Sequence, residues 1–121
     1  MSGVLSSVDA RTKLVGQNRL ELLLFHLGGS QFFAINVFKV QEVMRLPRLT
    51  RIPDCHPVVR GVTHLRGQTV PVVDLRQAIQ MGPLNMDAVD ATIIVTEYNK
   101  TVQAFLVGGV DRIVNMNWNE I

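Results

Sequence analysis

Short apolar segments separated by turn residues are the feature of this sequence that most restricts its fold. The segment LELLLFHL (20–27) runs into Gly28-Gly29-Ser30, and ATIIVTEY (91–98) is joined to TVQAFLV (101–107) by Asn99-Lys100. Glycine and asparagine adopt the positive φ values that tight turns require, and segments of this length are typical of strands. Many short strands at close spacing predict a mainly β domain, either a small barrel or a sandwich.

A second hairpin is predicted in GVTHLRGQTVPVVDL, with strands at 61–66 and 69–75 on either side of a turn at Arg66-Gly67. A turn near Gly67-Gln68 would place residue 66 opposite about residue 69, and residue 74 opposite about residue 61. His64 and Asp74 are then several residue pairs apart, which argues against a His–Asp catalytic dyad.

The other elements follow from local residue patterns. Prolines at 47, 53 and 57 remove ladder donors and predict an irregular connection. The remaining predictions are an N-terminal helix and lead-in over 1–18, a strand over 31–35, one helical turn before a strand that starts near Gln41, a short helix over 76–81 and a strand in VDRIVNM. The chain is therefore expected to divide into a lead-in, 1–18, and one domain, 19–121.

The composition indicates one globular domain. Of 121 residues, 47% are hydrophobic and 18% are charged, which suits a single core. One cysteine, Cys55, cannot form a disulfide within the chain, so a reducing compartment is expected. The longest apolar run, Leu22 to Phe25, is too short to cross a bilayer. These features predict a soluble cytoplasmic domain without direct membrane insertion.

Side chains suited to catalysis or metal binding are few and unfavourably spaced. Cys55 and His56 are neighbours, and neighbouring residues in an extended chain point to opposite sides, so they form no nucleophile–base pair. Together with His26 and His64 they also lack the ligand spacing of a zinc site. We therefore expect no enzyme activity, no catalytic residue, no metal and no cofactor, and we expect Cys55 to be a buried or half-buried thiol.

A basic stretch leaves one alternative function open. Five arginines and one acidic residue lie between Arg45 and Arg66, in a chain of net charge +2. A basic face can bind phosphate groups, but this stretch holds no aromatic residue on which bases stack. The alternative hypothesis is a small β-barrel nucleic-acid-binding module. The many apolar strands favour a protein-interaction module instead.

Three stretches carry a resemblance to a known family: LELLLFHLGGSQFFAINVFKVQEV, TRIPDCHPVVRGVTHLRGQTVPVVDLR and AFLVGGVDRI. They resemble the CheW-like domain of bacterial chemotaxis coupling proteins, and the leading SSVDARTKLVGQNRLELLLF is most similar to the N-terminal domain of CheV proteins. The resemblance implies two packed SH3-like β-subdomains with short helices. It also implies a non-enzymatic adaptor that links the cytoplasmic tip of chemoreceptors to the regulatory domain of a histidine kinase, in receptor arrays beneath the inner membrane.

The resemblance further implies six positions of partner contact. They are Val40, Glu42, Arg66, Thr92, Val110 and Ile113. Arg66 stands in the family's L-R-G turn, where it would pair with Glu42 or with a partner carboxylate. Asp74 is expected to fix a local hydrogen-bond network. For Val40, Val110 and Ile113 the alternative is ordinary core packing, because most β-branched strand residues are buried.

Two departures from the family pattern affect these expectations. Val107-Gly108-Gly109-Val110 stands where many relatives have Val-Asp-Gly-Val, so the turn lacks one carboxylate. The family domain continues beyond the position of Ile121 with further strands, and CheV proteins add a receiver domain. We therefore expect the C-terminal strands and the receiver domain to be missing here. An incomplete barrel exposes a strand edge, which predicts a homodimer or strand exchange.

Overall fold

The computed structural model describes residues 19–88 and 90–117, which form eight strands, one 3-10 turn and one α-helix. The strands are β1 Arg19–His26, β2 Phe32–Asn36, β3 Val40–Arg45, β4 Val59–Leu65, β5 Gln68–Asp74, β6 Thr92–Tyr98, β7 Thr101–Val107 and β8 Gly109–Asn117. The 3-10 turn is Val37–Lys39, and helix α1 is Leu75–Ala78. The helix predicted for residues 1–18 lies outside the described residues.

The strands form two sheets, and this mainly β architecture confirms the predicted fold class. One sheet has three strands in the order β2-β1-β8, and the other has five in the order β3-β6-β7-β5-β4. Neighbouring strands are antiparallel except β5 and β7, which run parallel. The predicted helical turn before β3 and the predicted hairpin of β6 and β7 are both present.

The core lies between the two sheets and inside the five-stranded one. Ile93 and Val95 point to one side of β6 and Ile94 to the other, and none is more than 2% exposed. Both faces of β6 are therefore covered, which is why its sequence lacks the polar alternation of a half-exposed strand. Ile94 shares an apolar cavity of about 230 Å³ with Phe25 and Phe33 of the three-stranded sheet. Full burial of one such isoleucine contributes about 1.5–3 kcal/mol.

The β4–β5 hairpin differs in register from the prediction. Leu65 pairs with Gln68, so Arg66 and Gly67 alone form the turn, with φ values of 52° and 80°. Positive φ at both central residues matches the right-handed twist of a hairpin. The prediction that residue 66 lies opposite residue 69 is therefore wrong. His64 pairs with Thr69 instead, and its Nδ1 lies 3.2 Å from the threonine Oγ1.

Asp74 fixes a hydrogen-bond network, as predicted, and it is fully buried. Its Oδ2 accepts from Arg60 Nη1 at 2.7 Å and from the backbone N–H of Leu84 at 2.9 Å. Its Oδ1 accepts from the N–H of Gln77 at 3.0 Å and so caps α1. The helix ends sooner than the predicted 76–81 segment, since Gln80 already has a positive φ of 65°.

Candidate partner-binding surface

Glu42 and Arg66 meet at the place where the five-stranded sheet closes on itself. They belong to opposite borders of that sheet, Glu42 to β3 and Arg66 to the turn after β4. Arg66 Nη2 nevertheless lies 3.4 Å from Glu42 Oε2. Thr50, in the connection that follows β3, also pairs with Val62 of β4 through two backbone hydrogen bonds of 2.8 Å. The sheet therefore curves into a barrel, with the ion pair at its mouth.

The ion pair between Glu42 and Arg66 agrees with the predicted pairing, and it is open to solvent. The Arg66 side chain is 73% exposed and the Glu42 side chain 36% exposed. An exposed pair of this kind contributes at most about 1 kcal/mol to stability, because water already solvates both charges. Its charged groups are instead accessible to a partner.

A β-bulge sets the direction of the side chains on β3. Val40 pairs with Thr96 but Glu42 pairs with Val95, so Gln41 is an extra residue in the ladder. After the bulge, Glu42 lies on the same face of the sheet as Val95, which faces the barrel interior. Val43 lies on the opposite face, together with Ile94. Val43 is 38% exposed. An apolar side chain of β3 therefore borders solvent on the side that faces the three-stranded sheet.

Strand β8 presents apolar side chains in a similar way. It is one of the two outer strands of the three-stranded sheet within the described residues, and Val110 pairs with Phe25. Ile113 pairs with Leu23, so a bulge at residues 111–112 keeps both apolar side chains on the core-facing side. At the border of the sheet nothing in the described chain covers them fully, and Val110 is 38% and Ile113 53% exposed.

The end of β3 and the start of β8 meet at one cleft between the two sheets. Arg45 of β3 and Thr92 of β6 line a cleft of about 230 Å³ together with His26 of β1 and Val110 of β8. We call the apolar border formed there the seam surface. It consists of Val40, Val43, Thr92, Val110 and Ile113. Four of these five positions are among the predicted contact residues, and two of them, Thr92 and Val110, line the cleft itself.

Within the seam surface, burial separates exposed from internal positions. Val110 and Ile113 are exposed, which excludes ordinary core packing for both. Val40 is half-buried against the core. Thr92 is only 8% exposed, and its hydroxyl donates to the Asp90 carbonyl oxygen at 2.7 Å. Thr92 therefore shapes the cleft, while Val110 and Ile113 offer the accessible surface.

The cysteine and the potential metal ligands lie apart from one another in the described residues. Cys55 is exposed, which contradicts the predicted burial, because its loop folds outward and its Sγ lies 3.1 Å from the Ile52 carbonyl oxygen. Residues 19–88 and 90–117 contain no group of three or more His, Cys, Asp or Glu side chains that could hold a metal ion. In the same ranges, no helix has the length and apolarity needed to span a bilayer.

The basic stretch offers fewer accessible charges than its sequence indicates. Arg60 forms an ion pair with the buried Asp74, and Arg66 pairs with Glu42. Two of the five arginines are therefore neutralised by acids from other parts of the fold. This arrangement weakens the case for a phosphate-binding face.

Comparison with known proteins identifies relatives over most of the chain. A family model described as CheW-like domain matches residues 21–121. The chain is 31% identical to the chemotaxis protein CheW of Klebsiella aerogenes over 121 residues, which are 100% of this chain and 70% of that protein. It is 31% identical to CheV3 of Helicobacter pylori over 111 residues, which are 86% of this chain and 36% of that protein.

A solved structure shows the same architecture. The crystal structure of the scaffolding protein TtCheW from Thermoanaerobacter tengcongensis matches with a TM-score of 0.76 at 25% identity, over 83% of this chain and 67% of that one. The nucleic-acid alternative has no support among these relatives.

Proposed function

The chain belongs to the CheW-like domain family, and we propose that it is a chemotaxis coupling scaffold that joins a chemoreceptor tip to the regulatory domain of a histidine kinase. It would act beneath the inner membrane, where the receptors are clustered. Its contribution is to hold two partners together, which raises their effective local concentration and fixes their relative geometry. No chemical step on the chain is required.

The observation that carries this proposal is the exposed apolar border on two outer strands. Val43 of β3 and Val110 and Ile113 of β8 are each more than a third exposed. Exposed apolar side chains on outer strands indicate an interaction surface, because a partner removes their area from water. The Glu42–Arg66 pair adds one negative and one positive group near the same strand. Such charges favour the correct orientation of a partner more than they add affinity.

A co-sedimentation assay with receptor-bearing membranes, with and without the kinase, tests the proposal. Saturable retention of the wild-type chain is expected, and Arg66→Glu should reduce it because two carboxylates then face each other at the barrel mouth. Arg51→Glu is the matched control, since it makes the same charge change in the exposed connection before β4. Retention that Arg66→Glu leaves unchanged, in a sample shown by circular dichroism to be folded, contradicts the proposed role of this residue.

The same two variants separate the coupling function from nucleic-acid binding. A phosphate-binding face would lose affinity about equally from either charge reversal, and its binding would fall steeply with salt. A coupling surface should respond to Arg66→Glu alone. No retention of the wild-type chain at any salt concentration would refute the coupling function of these residues.

Self-association remains a further proposal, and β2 is the better candidate strand for it. Both β2 and β8 have an unpaired side within the described residues, but the bulge at residues 111–112 bends β8 away from regular pairing. We therefore propose that a second copy pairs along β2. Light scattering that gives a monomer mass at all concentrations would contradict it.

A further inference from the structure

The three-stranded sheet is apolar on the face that points away from the core. Leu23 and Phe25 of β1 belong to the core. Side chains alternate along a strand, so every second residue from Leu20 to Leu24 points to the opposite side. Cross-strand partners share a face of the sheet, which adds residues of β2 and β8. We call this side the outer face, and it consists of Leu20, Leu22, Leu24, Ala34, Asn36, Val114 and Met116.

The pattern of burial shows that the outer face is not an ordinary solvent face. An antiparallel sheet that borders water on one side carries polar residues on that side. Here the polar residues lie on the other side, where Glu21 pairs with Asn115 and both are exposed. Leu20 is only 1% exposed, although it is not part of the core cluster of the described residues. The outer face therefore has the composition of a surface that another segment covers.

Asn36 gives the outer face an unpaired hydrogen-bond donor. It is 1% exposed, and its Oδ1 accepts from the N–H of Phe38 at 2.8 Å and so caps the 3-10 turn. Its Nδ2 has no acceptor in the described part of the chain. A buried donor without a partner is destabilising, and native structures nearly always supply one. The segment that covers the outer face should therefore combine apolar side chains with one hydrogen-bond acceptor near Leu22, the residue opposite Asn36.

Residues 1–18 have the sequence that such a cover needs. They are the longest stretch outside the described ranges, and they join β1 at Arg19. Val4, Val8 and Val15 lie on one side of the helix that the sequence predicts there. About 16 Å separate the first and last of these valines along a helix. The three leucines of the outer face span about 13 Å of β1, so the two apolar stripes match in length.

The connection to β1 also fits. Gly16 is a suitable end for the helix, and the two residues that follow it suffice for a short turn between a helix and a strand. A helix that turns back in this way runs antiparallel to β1, with its last turn near Leu20. The carbonyl oxygens of a last turn have no partner within the helix, so they are acceptors at the end of the face where Asn36 lies.

We propose that residues 1–18 form an amphipathic helix that packs on the outer face. Its valines contact the leucines of β1, and a carbonyl oxygen of its last turn accepts from Asn36 Nδ2. An isolated helix of this length is marginal in water, so it forms only as it docks. This contact is within the chain and does not depend on the proposed coupling function.

Methyl NMR of the full chain with a soluble paramagnetic relaxation agent tests the docking. In the wild type, the methyl groups of Leu22, Leu24 and Val114 should be protected from the agent and should show nuclear Overhauser effects to Val8. Burial of one valine side chain contributes a factor of about 10 to 100 to an equilibrium. Val8→Asn should weaken docking by that factor, expose the three methyl groups to the agent and speed the hydrogen exchange of the Asn36 side-chain amide several-fold.

Ala10→Asn is the matched control, because residue 10 lies on the opposite side of the predicted helix from Val8. Alanine is a better helix former than valine, so Ala10→Asn removes more intrinsic helix propensity than Val8→Asn does. A docked helix should nevertheless respond more strongly to Val8→Asn. Ala10→Asn should leave the methyl groups of the outer face largely protected.

Three results would overturn the inference. The first is methyl groups that the agent already broadens in the wild type, or whose protection Val8→Asn leaves intact. The second is nuclear Overhauser effects between differently labelled copies that grow with protein concentration, which would assign the cover to a second copy of the chain. The third is a loss of protection in Ala10→Asn at least as large as in Val8→Asn, which would indicate helix formation without docking on this face.

Discussion

Replacing Asp74 by asparagine should destabilise the fold far more than neutralising any exposed acid. Asp74 is fully buried, whereas its partner Arg60 keeps 23% of its side chain exposed. Asp74→Asn removes the negative charge and places an amide NH₂, or its single oxygen, where Oδ2 now accepts from Arg60 and Leu84. Breaking a buried ion pair by removing one partner costs about 3–5 kcal/mol, because the other charge remains without compensation. Total stabilities of such domains are about 5–15 kcal/mol.

Urea unfolding followed by circular dichroism measures this loss as a lower midpoint at unchanged slope. Glu42→Gln provides the comparison: it neutralises a carboxylate of an exposed pair and should cost no more than about 1 kcal/mol. The double variant Arg60→Met/Asp74→Asn should lose less than the sum of its two single variants, since no buried charge remains unpaired. An Asp74→Asn cost no larger than that of Glu42→Gln would refute the view that this network holds α1 and the segment at Leu84 in place.

Three further predictions concern packing and the seam. Gly108→Ala should cost about 1–3 kcal/mol of unfolding free energy, because its Cβ would lie 2.6 Å from the backbone nitrogen of Gly28. Gly29→Ala is the control and should be near neutral, because no atom lies within 4 Å of the added Cβ. Leu106→Ala, at a fully buried position, should cost about 2–5 kcal/mol in the same urea assay. Val43→Ser should leave the urea midpoint nearly unchanged yet lower retention on receptor-bearing membranes, and unchanged retention would remove Val43 from the seam surface.

Local residue chemistry explains why several elements were predictable. The β6–β7 hairpin was identified because its two apolar runs flank Asn99-Lys100, and both turn residues have positive φ, 52° and 64°. The role of Asp74 was expected from the family resemblance, in which this residue closes the D-L-R end of a strand. The turn residues of the hairpin, and Gln77 among the partners of Asp74, are close in the chain, whereas Arg60 and Leu84 lie 14 and 10 residues from Asp74 and were not predicted as its partners.

Features that depend on distant pairing were not predictable in the same way. The turn consists of Arg66 and Gly67, so the observed register of β4 and β5 differs from the predicted one. An error of one residue in the position of a turn changes the partner of every residue in the hairpin. Val43 was missed because only the bulge at Gln41, visible against β6, directs it to the seam. The packing of His26 on residues 108 and 109 was missed as well, since these contacts span more than half of the chain.

The pairing of β1 with β8 has a consequence for how the chain reaches its native state. Arg19 pairs with Asn117 and His26 with Gly109. In the sequence, all five strands of the other sheet therefore lie between β1 and its partner β8. During synthesis on a ribosome, the β1–β2 hairpin keeps an apolar face exposed to solvent until β8 has been synthesised and can pair with β1. Closure over so long a separation slows folding more than it reduces stability. The five-stranded sheet is therefore expected to form first, and the arrival of β8 to complete the domain and with it the seam that partners would recognise.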